Sequence, residues 1–120
     1  MARMPNIREV VKALGDRDGV EAVILLGHDG LTIDSHVTGD LDSESIAALV
    51  PSVIDGCNRV GSESGRKSFA TGVIEYTGGL AIVAQLTAEA LLALLVKPGT
   101  NVGDLLYDLQ RHRAGIAELL

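Results

Sequence analysis

Tryptophan is absent from the chain, and Phe69, Tyr76 and Tyr107 are its only aromatic residues. A core must therefore be built from Val, Ile, Leu and Ala, and a surface that grips nucleic acid by base stacking has almost nothing to work with. Positive charge is also scarce: 10 Lys and Arg stand against 16 Asp and Glu, a formal net charge of −6. Affinity for nucleic acid draws largely on Lys and Arg neutralising phosphates, so no nucleic-acid partner is expected. Cys57 stands alone, which rules out an internal disulfide, and its place in an apolar stripe reads as a small buried hydrophobe. No basic-then-apolar leader opens the sequence, and no apolar run reaches the roughly 18 residues of a membrane helix. The expectation is a cytoplasmic protein that does not insert into membranes.

Chemical signatures are missing too. His28, His36 and His112 are scattered with no close-spaced ligand set, which argues against a zinc site and makes surface histidines the default. Asp34, Ser35 and His36 are neighbours along a strand, so their side chains alternate between faces and cannot share one hydrogen-bonded line as a triad does. Gly61 to Ser68 superficially resembles a phosphate-binding loop. There, however, Arg66 intervenes before Lys67-Ser68, and the segment leaves a helix for a strand instead of the reverse. A plain solvated basic loop is the better reading. No enzyme activity, cofactor or metal is expected.

What the sequence does have is apolar residues, 47% of the total against 22% charged, in a chain of 120 residues. That length suits one domain spanning residues 1–120. The richness suggests that some apolar surface is buried in a partner. Residues 1–14 form an amphipathic pattern after Pro5, a residue suited to a first helical turn, and Gly15 ends it. Residues 20–26 are an almost continuous apolar run, read as a buried strand. Asp29-Gly30 then signals a tight two-residue hairpin turn. In residues 31–37, Leu31, Ile33, Ser35 and Val37 alternate with Thr32, Asp34 and His36, the pattern of a strand wet on one side. Residues 67–76, 80–86 and 90–96 read as three further strands in a meander. The last of these, Ala-Leu-Leu-Ala-Leu-Leu-Val, has helical propensity but strand length. A final amphipathic helix covers residues 101–120, capped by Thr100 or Asn101.

Residues 42–60 carry the most information. Ile46, Leu49, Val50, Val53, Ile54, Cys57 and Val60 recur at helical spacing, a stripe expected to face a sheet. Ser45, Ala48, Ser52 and Gly56 form a second ridge of small residues. Spacing alone leaves that ridge open between a solvent face with short side chains and a seam against a second helix. Asp55 and Arg59 sit four apart beside it, a pairing that adds only about 0.2–0.5 kcal/mol to an isolated helix. Pro51 removes a backbone donor, so a kink near residues 47–51, or two shorter helices in series, is expected.

Together these segments resemble the Roadblock/LC7 family. The likeness rests on residues 20–35, with Asp29-Gly30-Leu31 at the hairpin turn, on residues 91–101 as last strand and exit, and on the helix from Val102. It implies an α+β fold with a five-stranded antiparallel sheet in the order α-β-β-α-β-β-β-α, the long helix on one face and the terminal helices on the other. It also implies a homodimer through the long helix and the third strand. The helix then contributes Ser45, Ala48, Ser52, Asp55, Gly56 and Arg59, and the strand contributes Phe69, Thr71, Val73 and Glu75. By the same resemblance the function is regulatory: a scaffold or activating partner for a Ras-like small GTPase, or alternatively an adaptor subunit of a larger signalling or motor complex. A small-molecule sensor with a pocket between sheet and helix is the competing class.

Overall fold

The computed structural model describes residues 6–120. Helix α1 (Ile7–Gly15) is followed by strands β1 (Val20–Gly27) and β2 (Thr32–Val37), the long helix α2 (Ser43–Glu63), strands β3 (Thr71–Tyr76), β4 (Gly79–Gln85) and β5 (Ala90–Val96), and helix α3 (Val102–Glu118). The strands form one antiparallel sheet in the order β2-β1-β5-β4-β3. The element order and fold class are those expected. Pro5 lies outside the described residues, and α1 starts behind Asn6, whose side chain accepts from Glu9 N at 2.9 Å.

The near-continuous apolar runs of β1 and β5 follow from their central positions, since strands covered on both faces have no wet side. Alternation then sorts the side chains into two cores. Val23, Leu25, Ile82, Leu92 and Leu94 pack with Val11 of α1 and Leu105, Leu109 and Ile116 of α3. On the other face, Ile24, Leu26, Val83, Leu91 and Ala93 pack against Ala47, Val50 and Ile54 of α2. The seven-residue run 90–96 is a strand despite its propensity, because burial between two helical layers outweighs about a few tenths of a kcal/mol per residue.

The first hairpin departs from expectation in two ways. Its loop is three residues long: Gly30 N donates to Gly27 O and Gly27 N to Leu31 O, each at 2.9 Å, with Gly30 at φ 84°. That is a turn followed by a left-handed glycine, a position that favours a residue without Cβ. Beyond it, Leu25 pairs with Asp34 but Leu26 pairs with Thr32, leaving Ile33 in a bulge. The extra residue shifts the alternation by one, and Leu31 and Ile33 end up 69% and 51% exposed instead of buried.

Helix α2 is continuous for 21 residues through Pro51, so two helices in series are not formed. Ala47 and Val50 before the proline and Ile54 after it are buried against the same sheet, which ties both halves to one support. Its start is capped by Asp42, whose Oδ1 accepts from Glu44 N and Ser45 N, both at 3.2 Å.

Candidate functional site

The stripe expected to face the sheet divides in two. Val50 and Ile54 are buried, joined by Ala47 from outside the stripe, and Ile46 packs beside them, while Leu49 (69% exposed), Val60 (68%) and Val53 (38%) face outward. Seven apolar positions span more of the helix than a flat sheet can touch, and the small Ala47 seats the axis so that the contact line runs through it. Ser45, Ala48, Ser52, Asp55, Gly56 and Arg59 are all exposed. The outer face of α2 is thus a mixture of small and large apolar groups, more hydrophobic than the ridge alone suggested. Asp55 does not pair with Arg59: its Oδ1 lies 3.3 Å from His28 Nε2 on the first hairpin loop. Cys57 is half-buried, not fully buried.

At the end of α2 the chain folds back on itself. Arg66 N donates to Gly61 O at 2.7 Å, and a Cβ on Gly61 would clash with Lys67 O. Lys67 adopts φ 68°, a left-handed conformation that no strand residue holds, so β3 begins at Thr71 and not at Lys67. Phe69 N donates to Asn58 Oδ1 at 2.9 Å, and Asn58 Nδ2 donates to Gln85 Oε1 at 3.1 Å. Nothing in the local pattern singled out Asn58. The signal was a polar residue inside a half-buried helical face, where an amide must find partners.

Strand β3 forms one edge of the sheet, immediately beyond this loop. Gln85 N donates to Ala70 O at 3.0 Å, and the one-to-one register with β4 makes residues 72, 74 and 76 exchange bonds with β4. Thr71, Val73 and Glu75 therefore turn their backbone N–H and C=O away from the sheet. Their side chains lie on the face opposite α2, since the intervening Ile74 packs in the cluster beneath that helix. Phe69 packs beneath α2 as well. Of the expected interface residues, those of the helix present exposed side chains and Thr71, Val73 and Glu75 present outward backbone groups at the sheet edge, whereas Phe69 is turned beneath α2.

The opposite edge, β2, is blunted. Thr38 N donates to Glu21 O at 2.9 Å, which by alternation points Ser35 outward. The Ser35 N–H is already taken by Asp34 Oδ1 at 2.9 Å, and the bulge at Ile33 interrupts the edge further. Such devices deter strand addition.

The histidines are dispersed. His28 faces Asp55, and His36 Nε2 lies 3.7 Å from Asp16 Oδ1. Among the described residues no group of three or more His, Cys, Asp or Glu is placed to hold a metal ion, and no helix is long and apolar enough to cross a membrane. An apolar cleft of about 800 Å³ opens between α1 and α3, lined by Val10, Leu14, Leu109, Ile116 and Leu119 among others.

A family model described as "Roadblock/LC7 domain" matches residues 6–96. The chain is 28% identical over 105 residues to the uncharacterized protein MJ0714 of Methanocaldococcus jannaschii, covering 88% of each. Among solved structures it is similar to MglB of Myxococcus xanthus, with a TM-score of 0.85 at 17% identity over 94% of this chain and 93% of that one. It is also similar to a structure described as MglB with tetrameric arrangement, with a TM-score of 0.85 at 17% identity over 94% and 86%. At such identities these two structures establish likeness of fold.

Proposed function

Since the chain belongs to the Roadblock/LC7 domain family, we propose that it acts without enzymatic activity of its own, as a homodimeric adaptor that binds a Ras-like small GTPase and modulates or localises it. The observation that carries this reading is a pair of unfinished surfaces: the outer face of α2, with Leu49, Val53 and Val60 uncovered, and the open edge β3. A second copy related by a two-fold axis covers both at once, aligning edge with edge and helix with helix, because an isologous contact uses the same patch twice. The blunted β2 edge supports β3 as the pairing edge. The fold-level likeness to an MglB solved in a tetrameric arrangement is consistent with self-association. The paired helices then form a composite platform for the GTPase, which alters hydrolysis by ordering or holding its switch segments.

Two measurements test this reading. Sedimentation should give a dimer at micromolar concentration. A Ras-like GTPase that co-purifies with the chain should form a stable complex with it or turn over GTP faster in its presence. A monomer, or a GTPase indifferent in both respects, contradicts the proposal.

The cleft between α1 and α3 favours a second reading, a small-molecule sensor. Thermal stabilisation by a metabolite, with no GTPase complex, supports the sensor over the adaptor.

A further inference from the structure

We propose that two copies paired along β3 are held in one register by an ion pair between Glu75 of one copy and Arg113 of the other. This rests on the homodimer proposed above and specifies which residues meet across it. Arg113 of α3 reaches the rim of β3, where Nη2 donates to Ala70 O at 3.1 Å and to Thr71 Oγ1. Its Nε is buried without a hydrogen-bond partner, and among the described residues no carboxylate forms a salt bridge with it. Glu75 is exposed on the same face of the same edge strand and has no cation partner among the described residues. Within one chain they are separated along the strand, since Arg113 sits at Thr71 and Glu75 lies four residues further on.

Two-fold antiparallel pairing removes that separation. The backbone groups turned outward belong to Thr71, Val73 and Glu75, so these make the bonds across the edge. Setting Thr71 opposite Glu75 of the second copy, and Val73 opposite itself, uses all three. Sliding the strands to place Glu75 opposite Glu75 sets two carboxylates face to face, and placing Thr71 opposite Thr71 brings two Arg113 guanidinium groups together. Like charges directly opposite are destabilising, and both slides leave outward backbone groups unpaired. In the favoured register, directly opposed Cβ atoms lie about 4.5–5.5 Å apart on one face. Each Glu75 then stands beside the second copy's Thr71, where the guanidinium already waits, and symmetry makes the pair twice.

The test is the dissociation constant of the full-length dimer, measured by sedimentation at fixed salt. E75K and R113E should each weaken dimerisation about tenfold or more, and the E75K/R113E double variant should return to within about threefold of wild type. A second readout is independent of charge. In a C57S background, oxidised V73C should cross-link copies, because Val73 faces itself. E75C should not, its two positions lying about 13 Å apart at about 3.3 Å per residue. If wild type is a monomer, the homodimer fails and the ion pair with it. If wild type is a dimer but E75K leaves it unchanged, the double variant is no tighter than the singles, or E75C links while V73C does not, this register is wrong and the homodimer stands.

Discussion

The side chain of Asn58 on α2 accepts a hydrogen bond from the backbone N–H of Phe69 at 2.9 Å. Its amide nitrogen also donates to Gln85 at the end of β4. One polar residue therefore ties the far end of the long helix to the segment leading into the edge strand, the two elements assigned to the proposed interface.

Replacing Asn58 by Ala leaves the part-buried Phe69 N–H without a partner. N58A should lower unfolding free energy by about 1–3 kcal/mol. Chemical denaturation at fixed protomer concentration measures this, since dimer stability depends on concentration. A loss below about 0.5 kcal/mol would show the bond to be incidental.

Gly61 has no room for a methyl group against the Lys67 carbonyl. G61A should destabilise by about 1–3 kcal/mol, as overpacking does, although alanine is the better helix former by about 1 kcal/mol. Thermal denaturation decides the sign: stabilisation would mean that the fold-back loop moves aside freely.

The seam is tested by charge. A48E or S52E buries an unpaired carboxylate if two α2 helices face each other there, so sedimentation should show monomers at micromolar concentration while the helical circular dichroism signal persists. An undiminished dimer places the seam elsewhere.

The Ser45 hydroxyl donates to Asp42 Oδ2 at 2.7 Å and, with the backbone N–H groups, holds the Asp42 carboxyl below its ordinary value of 3.8. A carboxyl depressed in the folded state contributes its stability above the unfolded value and loses it as pH falls through the folded one. The melting-temperature advantage of wild type over D42N should therefore hold steady at neutral pH and shrink as pH falls from the ordinary value of 3.8 through the depressed one. A constant gap would mean that the charge of Asp42 is irrelevant to the cap.

Leu31 and Ile33 look like core residues by alternation, and the bulge turns them outward. L31S and I33S should each change stability by no more than about 0.5 kcal/mol, whereas the fully buried Leu25, changed to Ala, should cost about 2–5 kcal/mol. Urea midpoints compare the three directly.

Much of this architecture was legible in local patterns. The apolar runs of β1 and β5, Asn101 as one of two candidate caps, and the amphipathic helices depend on neighbours a few residues apart, where periodicity and side-chain chemistry act. Family likeness supplied the layers. Three features were hidden because they are decided between segments distant in sequence. One is the outward turn of Leu49, Val53 and Val60, set by how α2 sits on the sheet. Another is the slip of β2 around Ile33, set by its register on β1. The third is the bond from Asn58 to Phe69, which delays the start of β3.

The sequence alone determined which stretches become helix or strand and that apolar residues outnumber what the charged ones can offset, because those properties belong to short windows and to composition. Only tertiary structure decided that β1 lies beside β5, that β3 is left as the open edge while β2 is blunted, and which side of the long helix stays uncovered. Strand order and helix rotation are settled by packing between residues far apart in the chain, where no local spacing acts.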